Sequence, residues 1–423
     1  MPRIRDSLID FNPWWKEPFR VEGYRDREVY GTLEPFLRQP QVIALTGLRR
    51  TGKTTLLYRI VEDAIAGGRD PRDVAYFSFD EFREVRLREV LREYEAVAGR
   101  DLRRGRFLVL LDEVQKLEGW ADQLKALYDA HKGSVKFVVS GSESLFLRKG
   151  SKGTLAGRLF EFRVDPLTFR EYLAFRGVAY EPVALYGREL VRWFDEFVLT
   201  QGFPELVGVT DKAVVRKYLR ESIVEKVVFR DLPGLLGIRD VSVLESVLNL
   251  LMEEPGQIVQ TSELAGTLAV SRRTLANYLV YLEQSFLLRK LYNFSTGRRK
   301  VERKLRRYYP AIVSPDLAFR DDDLSRSRVF EWAVVSQLRA EYFWRDAYKN
   351  EVDVVLPGRR PVPVEVKYGK VETGGVEAFL RRFGGDAGYV VTRDQEDERA
   401  VEGGRIRIVP AYRFLLEGLP AGR

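Results

Sequence analysis

The chain has almost none of the side chains that support redox or transition-metal chemistry. Its 423 residues include no cysteine, which excludes disulfide bonds, thiolate zinc sites and a cysteine nucleophile. Histidine occurs once, as His131, so a serine–histidine–aspartate triad would have to use this one side chain. A metal site must therefore be built from oxygen ligands, which favours Mg²⁺ or Mn²⁺.

Methionine and long apolar segments are also scarce. The chain has two methionines and abundant charge, a usage that resembles that of hyperthermophile proteins. No apolar run reaches the ~18 residues expected of a membrane-spanning helix. The first residues lack the apolar core of a signal peptide. We therefore expect a cytoplasmic protein with no membrane contact.

The residues that are present describe a globular protein with a basic surface. Charged residues make up 31% and hydrophobic residues 45% of the chain, which is a globular composition. The length predicts about three domains. Lysine and arginine exceed aspartate and glutamate by eight charges, which suits a polyanionic partner such as nucleic acid or a nucleotide.

The first third of the chain alternates short apolar runs with helical patterns. Strands that alternate with helices predict an α/β fold with a parallel sheet. The run at 107–111 has no polar interruption, as expected for a strand buried on both faces. The predicted elements are a strand at Val42–Thr46, a helix over 53–66, and strands at 74–79, 107–111 and 135–140.

A helical region and a second set of strands follow. The pattern is helical from about 165 to 255, and two helices with serine N-caps at Ser262 and Ser271 are predicted within 257–290. Strands return at Glu351–Leu356, Val362–Lys367 and 388–392. We expect domains at 1–165, 166–300 and 301–423, with a second α/β unit at the end.

A glycine-rich segment at 47–54 matches G-x-x-x-x-G-K-[ST] between a strand and a helix. Its backbone amides would surround a phosphate, Lys53 would add a positive charge, and Thr54 would offer a hydroxyl to Mg²⁺. A glycine turn between strand and helix is the alternative. The expected ATP contacts are Gly47, Arg50, Thr51, Gly52, Lys53, Thr54 and Thr55, with Asp112 from the next motif.

Two later strands end in polar residues that suit the same site. The run at 107–111 ends in Asp112 and Glu113. Asp112 would hold Mg²⁺, and Glu113 would polarise the attacking water. The strand at 135–140 ends in Ser140, a candidate sensor of the γ-phosphate. The alternatives are a solvated acidic turn and an ordinary strand end.

These motifs together resemble archaeal and bacterial AAA-type P-loop ATPases that carry a C-terminal domain of uncharacterised function. The matching segments lie at 47–55, 111–115 with Trp120, 140–142, 155–158, 166–171 and 202–205. The resemblance spans nearly the whole chain and allows a homo-oligomer. It implies that Arg158 senses the γ-phosphate or a neighbouring subunit; an arginine paired with a carboxylate is the alternative.

A basic region lies beside a predicted helix-turn-helix at 261–279, where the resemblance implies a winged-helix-like module. Its second helix would present Arg272 and Arg273 outward to nucleic acid, with DNA preferred to RNA. A protein contact or a lid is the alternative for the module, and a solvated face for the basic run. The run at 298–307 offers further phosphate contacts: Arg298, Arg299, Lys300, Arg303, Lys304, Arg306 and Arg307.

The last region carries carboxylates and a lysine on neighbouring predicted strands. Period 2 places Glu365 and Lys367 on one face, and Asp353 on the adjacent strand could join them. This set resembles the PD-(D/E)xK nucleases, whose restriction-endonuclease-like α/β fold the C-terminal part would share. Asp353, Glu365 and, from a helix, Glu331 would bind Mg²⁺ or Mn²⁺, with Lys367 as a catalytic group. Many such folds are inactive.

Three functions follow from these motifs. The favoured one is an Mg²⁺-dependent ATPase coupled to a nucleic-acid-binding C-terminal region that could also act as a nuclease. The second is an ATP-switched binding or scaffold protein with an inactive nuclease-like domain. The third is an AAA-type remodeller of proteins.

Overall fold

A computed structural model describes residues 3–82, 84–141, 151–233, 241–297 and 305–418. The chain forms two compact units, Met1–Pro166 and Leu167–Arg423. Their division lies next to the junction expected near residue 165. No helix within the described ranges is long and apolar enough to cross a membrane.

The first unit is built on a parallel sheet of five described strands in the order β2-β3-β4-β1-β5. Every residue of β1 and β3 is buried, as their continuous apolar runs predict. The edge strand β5 is only partly buried and alternates apolar with charged residues, and it was not predicted. The strands are β1 Val42–Thr46, β2 Val74–Ser78, β3 Phe107–Asp112, β4 Val135–Gly141 and β5 Leu159–Arg163.

Helices cover both faces of this sheet because successive strand residues point to opposite sides. Val42 and Ala44 belong to one core cluster, and Ile43 and Leu45 belong to the other. The helices are α1 Ile4–Phe11, α2 Glu28–Leu33, α3 Lys53–Ala66, α4 Leu87–Ala98, α5 Trp120–Ala130 and α6 Ser151–Thr154. Short 3₁₀ turns lie at Pro13–Trp15, Glu34–Arg38, Pro71–Asp73 and Val114–Lys116.

The second unit begins with helices and ends around a mixed sheet. Helix α12 buries Leu275, Leu279 and Leu282 at helical spacing, as the sequence pattern predicts. Helix α14 instead buries nearly consecutive residues, so most of its circumference is covered. The helices are α7 Phe169–Arg176, α8 Gly187–Thr200, α9 Lys212–Lys217, α10 Val241–Glu253, α11 Thr261–Thr267, α12 Arg272–Gln284, α13 Pro315–Ala318, α14 Asp323–Leu338, α15 Gly374–Phe383 and α16 Ala411–Glu417. Two π-helical turns occupy Tyr218–Val224 and Lys226–Asp231, and a 3₁₀ turn lies at Val183–Leu185 and another at Pro204–Leu206.

The mixed sheet of the second unit contains nine described strands in the order β13-β14-β12-β11-β10-β9-β7-β8-β6. They are β6 Gln257–Ile258, β7 Leu288–Asn293, β8 Arg306–Pro310, β9 Tyr342–Arg345, β10 Glu351–Leu356, β11 Val362–Lys367, β12 Ala387–Thr392, β13 Asp397–Val401 and β14 Gly404–Pro410. Strands β10 and β11 have the predicted bounds.

This sheet crosses the domain boundary that was expected near residue 300. Strands β7 and β8 pair antiparallel across that position, and β7 also pairs in parallel with β9. The pairing joins the expected middle and C-terminal domains through backbone hydrogen bonds. Composition and periodicity carry no information on which strands pair, so the sequence did not reveal this continuity.

Candidate functional site

The predicted phosphate loop follows β1 and opens α3. Two of its glycines have backbone conformations that disfavour other residues, since φ is +144° at Gly47 and +93° at Gly52. A Cβ atom at Gly47 would lie 2.2 Å from the carbonyl oxygen of Val164. The loop therefore packs directly against the backbone that follows β5, which fixes its shape.

The lysine of the loop turns inward. Lys53 is 5% exposed, and its Nζ donates hydrogen bonds to the carbonyls of Gly47 at 3.0 Å and Leu48 at 2.7 Å. The ammonium group thus lies inside the loop. Thr51 is fully buried and donates its hydroxyl to the Leu48 carbonyl at 2.9 Å. Arg50 takes a left-handed φ of +62°, and Thr55 is exposed on α3.

Asp112, at the end of β3, collects the polar groups of the site. Its carboxylate accepts hydrogen bonds from the hydroxyl of Thr54 at 2.7 Å, from the hydroxyl of Tyr76 at 2.9 Å and from Ser140. The three neighbouring strands all end at this edge of the parallel sheet, which brings these side chains together. The structure therefore assembles Thr54, Asp112 and Ser140 as the sequence predicts.

Glu113 is held beside this carboxylate by the side chain of Gln115, two residues further along the chain. Gln115 is 5% exposed and donates from Nε2 to Glu113 Oε2 at 2.6 Å. Burial raises the pKa of Glu113, while Lys53 and the Gln115 hydrogen bond oppose the rise. Burial therefore makes the Glu113 carboxylate a stronger base than an exposed glutamate.

Arg27 and Tyr76 are further site residues that sequence reasoning missed. Arg27 is 6% exposed and donates to the carbonyls of Thr51 and Asp165, each at 2.7 Å. It thereby ties the phosphate loop to the segment after β5. Burial and the charge of Asp112 raise the pKa of Tyr76, so its hydroxyl stays a donor. Neither residue lies near a motif in the sequence, so no local signal marks it.

Arg158 does not lie where a γ-phosphate sensor of the same chain is needed. It precedes β5, and its carbonyl accepts from the amide of Val42, the first residue of β1, at 2.8 Å. The phosphate loop follows the last residue of β1, about 13 Å away along the strand. The guanidinium instead pairs with Asp129 at 3.1 Å. The same-chain sensor role is therefore wrong, and a role toward a neighbouring subunit stays a prediction.

The residues at Asp112 fit a magnesium ion. Thr54 and Asp112 place a hydroxyl and a carboxylate 2.7 Å apart at the mouth of the loop, and both are oxygen ligands that Mg²⁺ prefers. Thr54 is exposed, so the pair can be reached from solvent.

The C-terminal carboxylates also lie together, but an arginine lies among them. The guanidinium of Arg307, on β8, is 2.9 Å from Asp353, 3.4 Å from Glu351 and 4.0 Å from Glu331. Asp353 also accepts a hydrogen bond from the amide of Val366 at 2.8 Å. Arg307 was expected on an exposed basic surface, and this expectation is wrong because its side chain is 7% exposed.

The remaining members of the cluster follow the predicted strand alternation. Lys367 and Glu365 share one face of β11, with Nζ and Oε1 2.7 Å apart. Burial and the charge of Asp353 raise the pKa of Glu365 well above its ordinary value. Burial, followed by the charge of Asp353, raises the pKa of Glu331 to about 7. Both shifts arise from burial and from the closeness of the other carboxylates.

These residues do not fit the predicted metal site. Within the described ranges, no group of three or more acidic or histidine side chains is arranged to hold a metal ion. The assignment of Glu331, Asp353 and Glu365 as metal ligands is therefore wrong for this arrangement, because Arg307 contacts Glu331 and Asp353, and Lys367 pairs with Glu365.

The candidate nucleic-acid contacts divide into three groups. Arg272 and Arg273 are exposed at the start of α12, whose N-cap is Ser271, as predicted. The first helix, α11, begins at Thr261 after Gln260, so Ser262 is not its N-cap. Arg306 lies over the ring of Tyr292, 5.8 Å from its centroid. The contacts outside the described residues are Arg298, Arg299, Lys300, Arg303 and Lys304.

The parallel sheet, the phosphate loop and the Asp112–Glu113 pair define a P-loop nucleotide-binding domain. Residues 39–173 match the family model of an AAA domain (AAA_14). Residues 191–311 and 328–414 match models of two domains of unknown function, DUF8612 and DUF4143. The first unit is thus similar to AAA-type P-loop ATPase domains.

Three relatives are similar over much of the chain. An uncharacterised protein of Methanocaldococcus jannaschii is 27% identical over 89% of this chain and 85% of its own length. A second from the same organism is 24% identical over 79% of this chain and 76% of its own length. An uncharacterised protein of Haemophilus influenzae is 25% identical over 58% of this chain and 61% of its own.

Two solved structures also match in part. DnaA of Aquifex aeolicus bound to AMPPCP is 17% identical, with 63% of this chain and 91% of that chain covered and a TM-score of 0.31. A signal-transduction ATPase with numerous domains and a tetratricopeptide-repeat sensor, from Pyrococcus horikoshii, is 11% identical. It covers 76% of this chain and 46% of that one, with a TM-score of 0.28.

Proposed function

We propose that the first unit hydrolyses ATP with the help of Mg²⁺. One observation carries this proposal: the Asp112 carboxylate accepts the Thr54 hydroxyl from the phosphate loop and the Ser140 hydroxyl from β4, with Glu113 as the next residue. This geometry supports a magnesium-binding pair, a polar sensor and a base at one edge of the sheet.

The loop amides and Lys53 bind the β- and γ-phosphates, and Lys53 leaves the Gly47 and Leu48 carbonyls to do so. Thr54 and Asp112 would hold Mg²⁺, which supplies charge stabilisation to the phosphates when bound. Glu113 takes a proton from water as the water oxygen bonds to the γ-phosphorus. The bond from that phosphorus to the bridging oxygen breaks, and ADP leaves with the electron pair.

The test is ATP hydrolysis by Lys53→Ala. Loss of a charge-stabilising group in such a site lowers kcat by about 10²-fold or more. Lys132→Ala is the matched control, since Lys132 is exposed in the turn before β4. The proposal is wrong if Lys53→Ala hydrolyses ATP as fast as the control does.

We further propose that the second unit binds nucleic acid through α12. The order α10, β6, α11, α12, β7, β8, with β8 paired to both β6 and β7, supports a winged-helix module. Arg272 and Arg273 are exposed in the first turn of α12, the part of the helix with which such modules contact DNA.

Arg272→Ala with Arg273→Ala should weaken duplex DNA binding and flatten its salt dependence by roughly two charges. Arg359→Ala with Arg360→Ala removes the same charge from the exposed turn between β10 and β11, and should leave binding unchanged. If both double variants lose the same DNA affinity, the loss is due to net charge and not to a contact at α12. Stimulation of the ATPase by unfolded protein and not by DNA would favour the remodeller.

The second unit is better described as an inactive nuclease-like domain than as a nuclease. Arg307 among Glu331, Glu351 and Asp353 supports this choice. We expect no cleavage of DNA or RNA with Mg²⁺ or Mn²⁺. Cleavage that disappears in Glu365→Ala would restore the nuclease function.

A further inference from the structure

Arg307 is held in the carboxylate cluster by its backbone as well as by its charge. Arg307 lies opposite Leu291 on β7 and Ile258 on β6, inside the nine-stranded sheet. The side chain therefore leaves the cluster only if the strand slides or its rotamer changes. The ring of Phe343 lies 5.1 Å from the guanidinium carbon and adds a favourable cation–π contact.

The guanidinium contacts the carboxylates that a metal ion would need. Its Nη1 atom is 2.9 Å from Asp353 Oδ1 and 4.0 Å from Glu331 Oε1. A divalent ion bound to Asp353 Oδ1 at about 2.1 Å would lie within about 5 Å of Nη1. Like charges at such a distance in a buried site repel strongly.

Three cations lie among the four carboxylates of the cluster. Arg307 faces three carboxylates, Glu365 pairs with Lys367 at 2.7 Å, and Glu351 also meets Arg345 at 3.6 Å. Tyr309 donates its hydroxyl to Glu331 at 2.8 Å, which satisfies part of that side chain. Each named carboxylate thus has a cation or a hydrogen-bond donor within reach.

We propose that Arg307 is the resident cation of this cluster, that it excludes divalent ions, and that its removal uncovers a latent metal site formed by Asp353 and Glu331. The inference rests on the inactive-domain proposal above and extends it by naming the group that blocks the metal. It predicts a gain of function from a substitution that removes a charge.

The experiment measures free Mn²⁺ by electron paramagnetic resonance during titration of nucleotide-free protein. Arg307→Met keeps much of the side-chain length and removes the charge, and should bind Mn²⁺ at least tenfold more tightly than the unaltered protein does. Adding Asp353→Asn to Arg307→Met should abolish the gain. Arg307→Lys, which keeps a cation, should show no gain.

Arg345→Met is the matched control because Arg345 also touches Glu351 but does not contact Asp353. It should leave Mn²⁺ affinity unchanged. If Arg345→Met gains as much affinity as Arg307→Met, a general loss of positive charge explains the effect and the proposal fails.

The remaining outcomes separate the two proposals. Metal-dependent cleavage by the unaltered protein would overturn the inactive-domain proposal, and Mn²⁺ binding that Asp353→Asn abolishes would overturn the role of Arg307. If Arg307→Met gains no affinity, the role of Arg307 also fails, while the domain can still be inactive. If Arg307→Met is strongly destabilised, adding Asp353→Asn should raise its Tm, because one buried carboxylate fewer is left without a cation; an unchanged or lower Tm contradicts the pairing.

Discussion

At the scale of single residues, the nucleotide site depends on contacts that fix each functional side chain. Gln115 donates to Glu113, Tyr76 donates to Asp112, and Arg27 holds the loop backbone. The groups of the motif itself are local in sequence and were predicted. Arg27 and Tyr76 come from distant positions, and only the folded chain brings them to the motif.

Removing the Gln115 side chain should change the pH dependence of hydrolysis. The Gln115 hydrogen bond favours ionised Glu113, and burial already raises the pKa of this carboxyl. Gln115→Ala therefore raises that pKa further. Since the base must be ionised, the acid limb of the kcat–pH profile should move to higher pH.

The profile is measured from steady-state phosphate release between pH 4.5 and 8. Gln39→Ala, at an exposed position before β1, is the control and should keep the profile of the unaltered protein. An acid limb that stays in place or moves to lower pH in Gln115→Ala would show that Gln115 does not set the ionisation of Glu113.

Arg307 shows how a charge run can mislead at this scale. The run of basic residues at 298–307 predicts one exposed surface, yet its last two members lie on β8, where successive side chains point to opposite faces. Arg306 reaches the ring of Tyr292, and Arg307 reaches Asp353. The strand, and not the composition, decides where each charge goes.

At the scale of elements, continuous apolar runs were predicted well and half-exposed strands were not. Strands β1 and β3 are buried throughout, so their sequences carry a strong signal. Strand β5 mixes Glu161 and Arg163 with apolar residues and lies at the sheet edge, so its pattern is weak. The helix α14 starts at Asp323, where Asp322 accepts from the amide of Ser325 at 2.9 Å.

Substitutions at the N-cap of α12 can change the stability of the protein and the charge beside Arg272 and Arg273 independently. Ser271 accepts from the amide of Thr274 at 3.0 Å, next to Arg272 and Arg273. Ser271→Ala should cost about 1 kcal/mol of stability, measured by chemical denaturation. Ser271→Asn and Ser271→Asp both restore an N-cap acceptor and should recover most of that loss.

DNA affinity should separate the last two variants. Ser271→Asp places a negative charge beside the two arginines and should bind duplex DNA more weakly than Ser271→Asn, at equal stability. Fluorescence anisotropy at low salt measures the difference. If the two variants bind DNA with equal affinity, the start of α12 does not contact nucleic acid.

At the scale of the whole molecule, the second unit should fold as one body. The sheet crosses residue 300 through the β7–β8 pair, and the β7–β9 pair joins it to the last strands. A fragment of residues 167–423 should therefore unfold in a single transition. A fragment of residues 301–423 lacks β6 and β7 and exposes the edge of β9, so we expect it to aggregate.

Circular dichroism and calorimetry of the two fragments test this expectation. A soluble 301–423 fragment with its own cooperative transition would show that the C-terminal strands form an independent domain. Two separate transitions in the 167–423 fragment would lead to the same conclusion.

The shared sheet has a mechanical consequence. Hydrogen-bonded strands resist shear, and β8 connects the hairpin after α12 with the carboxylate cluster through a single strand. We therefore expect a displacement of the hairpin to move the Arg307 side chain against Asp353. Among the described residues, the winged-helix strands and the acidic cluster share one strand, so we expect a ligand bound at either one to change the binding of a ligand at the other.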